Sequence, residues 1–274
     1  MSELVAYLDS RWAFYLGCSE RQLRDSGRHI VVRPHGASEE GSPWPLRRGP
    51  ICVFTTGQGW VMSLPGNLRE AADALCMGIA FEGLVADGDR LQQDWFDRMQ
   101  ATGERGASRG DQGYETMNRV AESLHLRGWS HYMLSYCDPA SWAPQLDKHV
   151  RPITEDQPDL WKQWQSWPGP MVGPRIAEQF EIADAFGYVL DGRLVSAAQL
   201  EASPREFAWE YGVDTLPEFR GRGFATAVLN SVTAFIIERG RIAWHYCDHY
   251  NRPSRRLPEK LRYFRYGEGL FGAA

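Results

Sequence analysis

From Phe219 to Gly223 the chain reads Phe-Arg-Gly-Arg-Gly, and an apolar stripe with helical spacing begins directly afterwards. Ala225, Val228, Leu229, Val232, Phe235 and Ile236 recur at i, i+3, i+4 and i+7, which buries one face of a helix from its first turn. Gly240 follows where a helix ends best in a left-handed residue. The segment before the glycines, "EFAWEYGVDTL", has the composition of a strand. A strand must therefore turn into a helix through two glycines. At such a turn the first backbone N–H groups have no intrahelical partner. The positive end of the helix dipole points the same way, and glycine lets a bulky anion approach the backbone. Arg220, Gly221, Arg222, Gly223, Phe224, Ala225 and Thr226 are thus a candidate cradle for phosphate or pyrophosphate. A helix-start turn without a ligand has the same local spelling, so context must decide. Neither a GxxxxGK[ST] loop nor a strand–GxGxxG unit is present.

The context is an alternation of strands and helices, hence an α/β (α+β) chain. "EIADAFGYVLDGRLVSAAQLEA" reads as two strands around the turn "DGR". "RIAWHYCD" is a further strand, "RPSRRLPEKLRYF" a poor helix and "YGEGLFGAA" an extended tail. Ahead of the hairpin, "VRPITEDQPDLWKQW" runs from strand into helix, with Thr154 placed to cap it. The first half offers helices over 3–17, 67–82 and 114–126, and strands over 29–34, within 51–65 and over 130–137. Loops are expected over 36–50 and 101–113, which are rich in glycine and charge. With 274 residues the chain exceeds a typical domain of roughly 100–150 residues. A boundary is expected in the proline-bearing stretch 138–149. It separates an N-terminal α/β domain, 1–140, from a C-terminal domain, 149–274.

Charge and cysteine content narrow the partners. The net charge of −5 leaves no strongly basic footprint, so nucleic acid is not expected as a partner. No stretch approaches the roughly 18 apolar residues of a membrane span, and "MSELVAYLDSRWAF" does not resemble a signal peptide. The five cysteines are scattered and form no CxxC pair, so neither a disulfide framework nor a structural zinc site is expected. A cytoplasmic protein with a small anionic ligand fits these numbers. In "HYCDH", His245, Cys247 and His249 share a strand face. Further ligands would have to come from elsewhere, and no metal is expected there. Trp161, Trp164 and Trp167 read first as core and second as a pocket wall.

Arg220-x-x-Gly223-x-Ala225, preceded by Pro217-Glu218-Phe219 and a strand, resembles the acyl-CoA pyrophosphate motif of the GNAT superfamily of acyltransferases. The element order over 149–274 resembles that family too, and "DHYNRPSRRL" looks like its later motif. The resemblance covers only the C-terminal half. It implies a mixed central sheet flanked by helices, and acetyl-CoA or another acyl-CoA as cofactor. It further implies transfer of an acyl group to an amine, taken here as that of a small molecule. A backbone N–H of Val213, Asp214 or Thr215 would meet the thioester carbonyl, and Asn251 and Ser254 would touch the pantetheine arm or the adenine end. Glu210 is the candidate general base, with Asp214 a weaker alternative. The family's tyrosine acid falls on Pro258, which has no proton to give. Tyr246, Tyr250, Tyr263 and Tyr266 are the remaining tyrosines nearby, and the sequence singles out none. A non-catalytic acyl-CoA-binding or regulatory module, or an enzyme acetylating protein amines, is the alternative reading. A homodimer is one assembly open to such a chain. The strand–helix mix of the first half is read as a degenerate copy of the same fold that shapes the acceptor cleft.

Overall fold

The computed structural model describes residues 2–33, 46, 49–102, 113–124, 126, 128–169 and 171–273. The expected loops 36–50 and 101–113 lie largely outside the described residues. Two compact units emerge. Unit 1 comprises residues 1–134, 246–255 and 265–274; unit 2 comprises 135–245 and 256–264. The expected single boundary at 138–149 is close to where unit 2 begins. It does not separate the units, because 246–255 and 265–274 join the first one. Sequence composition marks a linker, and these two returns run through regular structure that no linker signal marks.

Unit 2 contains β5 (Val150–Ile153), α6 (Pro158–Gln165), α7 (Pro174–Ala177), β6 (Ala185–Leu190), β7 (Arg193–Glu201), β8 (Ala208–Thr215), α8 (Phe224–Glu238), the first part of β9 (Ile242–Asp248) and α10 (Leu257–Lys260). The strand order is β9-β8-β7-β6-β5. β5 to β8 form an antiparallel meander, and β9 joins β8 in parallel after the crossover through α8. The sheet is therefore mixed and carries helices, as expected. The "DGR" turn closes β6 onto β7, with Asp191 and Gly192 both at positive φ. α8 begins at Phe224 and buries Val228, Leu229, Val232 and Ile236 completely. Each such side chain contributes about 1.5–3 kcal/mol relative to exposure. Gly240, at φ 67°, lets the backbone fold back so that its N–H donates to Ile237 O. Thr154 does not cap α6: the helix opens later, at Pro158, where the ring's fixed φ and missing N–H suit the first helical position.

Unit 1 contains α1 (Glu3–Leu16), α2 (Glu20–Arg24), β1 (Arg28–Val32), β2 (Cys52–Thr55), β3 (Trp60–Leu64), α3 (Arg69–Cys76), α4 (Phe81–Thr102), α5 (Glu115–Val120), most of β4 (Gly128–Tyr136), α9 (Arg252–Arg255) and most of β10 (Phe264–Ala273). It is α/β with a mixed sheet in the order β1-β3-β2-β10-β4. β1 pairs in parallel with β3, the second strand of its hairpin. In unit 2 the opening strand β5 instead pairs antiparallel with β6, the first strand of its hairpin. The tail expected to be merely extended is β10, paired with β2. α4, 22 residues long, is not announced by the sequence, where glycines at 83 and 88 weaken the helical signal. Among the described residues no helix is long and apolar enough to cross a membrane.

Candidate functional site

The Gly-Arg-Gly turn sits where the sequence places it, between β8 and the N-terminus of α8. Gly221 and Gly223 adopt φ 74° and 87°, a left-handed conformation that other residues enter at a cost. Gly223 is the N-cap of α8 and no side chain caps the helix. The first intrahelical bond runs from Ala227 N–H to Gly223 O, so the N–H groups of Phe224, Ala225 and Thr226 point out of the helix end. A methyl group added at Gly221 or Gly223 would meet nothing within 4 Å, so the approach to the backbone is open. Beside this end lies a depression of 780 Å³, walled by Gly223, Thr226, Ala227, Asn230, Lys148 and Lys260 among others. Asp147, also on the wall, accepts from the His149 backbone N–H and lies beside ring Nδ1, 2.9 Å each. These hydrogen bonds hold its carboxyl below the ordinary carboxylate range.

The two arginines behave differently from a simple charge pair. Arg220 Nε donates to Thr215 O at 3.2 Å, tying the turn to the end of β8. The Arg222 guanidinium lies 5.0 Å from the Phe224 ring and 5.6 Å from the Phe219 ring, stacked over aromatic faces. The nearby ammonium groups on the cavity wall, Lys148 and Lys260, were not legible in the sequence. They come from a connecting loop and a short helix, far from the glycine motif.

β8 opens the sheet. Its pairing with β9 covers only Ala208↔Ile242 and Trp209↔Ala243, whereas its pairing with β7 continues to Thr215. Leu216 N–H donates to Val195 O, on the β7 side. Backbone direction alternates along a strand, so the N–H groups of Val213 and Thr215 face the other edge, which β9 has left. The Asp214 N–H faces β7 by the same alternation, so of the three expected backbone donors Asp214 is turned away.

The two faces of β8 differ. Trp209, Tyr211 and Val213 pack with α8, and Glu210, Gly212 and Asp214 occupy the opposite face. Glu210 is buried and lies directly across from Glu201 of β7 in register. An atom added at Gly212 would collide with Glu201 Oε1 and Met171 O, so only glycine lets the segment bearing Met171 lie on the strand. Asp214 Oδ2 accepts from Met171 N–H at 2.9 Å, and Gln199 Oε1 from Gly173 N–H at 3.0 Å. Asp214 is thereby a fastening for this segment. Trp164 is buried with Ile153, Leu160, Val172, Leu194 and Ala197, with Trp161 and Trp167 packed against them, which is the core reading of that series.

Glu201 escaped the sequence reading, since its position opposite Glu210 depends on the register of β7 against β8. Burial, and then the charge of Asp214, push its carboxyl from 4.5 up to about 7. The folded state therefore binds a proton there that the unfolded chain releases near pH 4.5. Stability from this group is full below about pH 4.5 and is lost as pH rises to about 7. We expect Glu201→Gln to remove that loss and stabilise the protein at pH 8 by roughly 1–3 kcal/mol, with little effect at pH 4. Urea unfolding at both pH values checks this; equal effects at both would refute the burial argument.

The other expected site residues lie elsewhere. Asn251 and Ser254 belong to unit 1, where Asn251 Oδ1 accepts from Ser254 N–H at 3.3 Å. Tyr246, Tyr250 and Tyr266 also belong to unit 1. Tyr263 is buried in unit 2 against Thr233 Oγ1 at 2.7 Å, and burial raises its phenol further. It is not on the cavity wall. Pro258 is buried in the first turn of α10.

Residues 196–271 match the family model described as FR47-like protein. The match includes the Gly-Arg-Gly turn and lies inside the half that resembles GNAT acyltransferases. No curated protein matches the chain significantly. Solved structures with some likeness include a GCN5-related N-acetyltransferase from Sphaerobacter thermophilus, 14% identical, TM-score 0.44, covering 78% of this chain and 71% of that one. A GCN5-related N-acetyltransferase-like protein from Streptococcus suis is 17% identical, TM-score 0.40, covering 59% and 68%. An acetyltransferase from the GNAT family of Colwellia psychrerythraea is 14% identical, TM-score 0.41, covering 58% and 62%.

Proposed function

We propose, from the FR47-like match over 196–271 and the unit 2 site, that this chain is an acyl-CoA-dependent N-acyltransferase acting on an amine. The observation that carries the reading is the divergence of β8 from β9 after Trp209, beside the open, glycine-lined N-terminus of α8. The residues present fit the cofactor. The N–H groups at the start of α8 and the ammonium groups of Lys148 and Lys260 suit phosphates. When bound, acyl-CoA supplies the acyl group activated as a thioester. The N–H groups of Val213 and Thr215 at the open edge suit an acyl carbonyl oxygen as negative charge develops on it. Glu210 would take the proton from the amine, directly or through water.

The acceptor proposed is a small-molecule amine. The carboxylates of Glu201, Glu210 and Asp214 on one face of β7 and β8 suit a cation. The five cysteines are all free, which supports a reducing, cytoplasmic setting. A homodimer is part of the same proposal. One observation favours a second reading, a non-catalytic acyl-CoA-binding module: Pro258 stands where the family's tyrosine acid would be, and among the described residues no tyrosine lines the cavity. Acetylation of a protein amine is the other alternative.

Calorimetric titration of acetyl-CoA and CoA into the full chain tests the cofactor. Saturable binding of both at one site is expected. Binding of neither overturns the proposal, and binding without turnover of any amine selects the non-catalytic reading.

A further inference from the structure

Unit 1 contains a partly buried cluster unrelated to the glycine turn. Asp89 comes from α4, His131 from β4, His249 from the turn after β9, and Glu268 from β10. His131 and His249 stack, with ring centroids 4.4 Å apart and planes within 10°. Each ring therefore presents one nitrogen to Asp89 and the other to Glu268. On the Asp89 side, His131 Nδ1 lies 2.9 Å from both carboxylate oxygens, and His249 Nε2 lies 4.0 Å from Oδ2. On the other side, His131 Nε2 and His249 Nδ1 are 3.2 and 3.7 Å from the same oxygen, Glu268 Oε2. Both of those nitrogens are buried and neither forms a well-directed hydrogen bond. Arg265 Nη2, at 2.8 Å, holds Glu268 Oε2 in place.

We propose that Asp89, His131 and His249 form a binding site for a first-row divalent metal ion, with Zn²⁺ as its best probe. One ligand atom from each of the three lies within 4.8 Å of the others. A tetrahedral ion bound at about 2.0–2.2 Å needs its ligand atoms roughly 3.4 Å apart. The observed 2.9 and 4.0 Å separations from Asp89 fall on either side of that value. His249, whose side chain is 31% exposed, would tip its ring out of the stack with His131 to reach the shared point. Two imidazoles and one carboxylate are a donor set for zinc and its neighbours.

The far side of the rings supplies what ligating histidines need. A histidine bound to metal through one nitrogen donates the N–H of the other to a carboxylate. Glu268 Oε2 faces both far nitrogens, so with an ion bound it would accept their N–H groups and leave the lone pairs on the Asp89 side for the metal. Asp89 is oriented in turn by Tyr114, whose hydroxyl lies 3.1 Å from Oδ1. The Tyr114 ring covers Gly88, where any added side-chain atom would collide with it. Cys247, two residues before His249, is not among the groups whose ligand atoms share this point. The site therefore departs from both the His245–Cys247–His249 arrangement and the expectation of no metal.

The full chain, stripped with chelator and titrated with Zn²⁺ by calorimetry, tests this. One Zn²⁺ per chain is expected. His249→Gln and Asp89→Asn should each weaken binding at least about 100-fold, and Glu268→Gln about 10–100-fold. Circular dichroism should show all three variants folded; Glu268→Gln retains every ligand and serves if a ligand variant unfolds. Co²⁺ should give a visible band without thiolate charge transfer. No Zn²⁺ uptake by the native chain, uptake undiminished in all three variants, or a thiolate band would each overturn the site. None of these readouts depends on acyl-CoA binding.

Discussion

Gly223→Asp will abolish acetyl-CoA binding in calorimetry, weakening it by about 1,000-fold or more, with the chain still folded. Three features combine there. Gly223 is the N-cap of α8, its φ of 87° is left-handed, and the space above it is open. Aspartate is among the few residues that visit this conformation without a large cost. The variant therefore keeps the helix, and near-native circular dichroism is expected. The new carboxylate, however, lies against the N–H groups of Phe224, Ala225 and Thr226. It satisfies the donors that a phosphate would use, and it repels that phosphate at close range. Gly223→Ala separates the two causes, since it carries the backbone cost without the charge and should lose far less affinity. Undiminished binding by the aspartate variant would remove the phosphate from this turn.

Glu210→Gln will lower turnover about 100- to 10,000-fold on any amine the native chain acylates, and leave the CoA dissociation constant unchanged. The substitution keeps size and shape at a buried position, so it removes proton uptake with little disturbance of packing. The comparison that decides the role is Glu201→Gln. Glu201 lies across the strand pair, and its proton leaves near pH 7. If Glu201 is the base, its variant suffers the larger loss in kcat and Glu210→Gln stays near native. If neither variant moves the rate, the chemistry does not use this face of the sheet. A loss of CoA affinity in Glu210→Gln would instead mark it as a structural residue.

Local features carried the sequence reading well. α8 was legible because its buried stripe, its opening glycines and its closing Gly240 all lie within one short stretch. The hairpin at Asp191–Gly192 was legible for the same reason. Thr154 misled because several later residues can also start a helix, and Pro158, already shaped for the first turn, opens it instead. The long helix α4 was missed because its two glycines weaken a pattern that packing then restores.

What the chain's sequence determined by itself is the turn and helix that present backbone N–H groups to an anion. Backbone conformation and periodicity act over a few residues, so their message survives without knowledge of the fold. Tertiary structure alone decided the rest. The register of β7 on β8 put Glu201 opposite Glu210, and the early parting of β8 from β9 exposed the edge at Val213. The returns of the chain at 246–255 and 265–274 brought His249 and Glu268 to Asp89 and His131. Those four residues lie far apart in the chain. No local rule relates them; burial of the surrounding apolar faces sets the pairing of strands and helices, and the charged groups meet where that packing brings them.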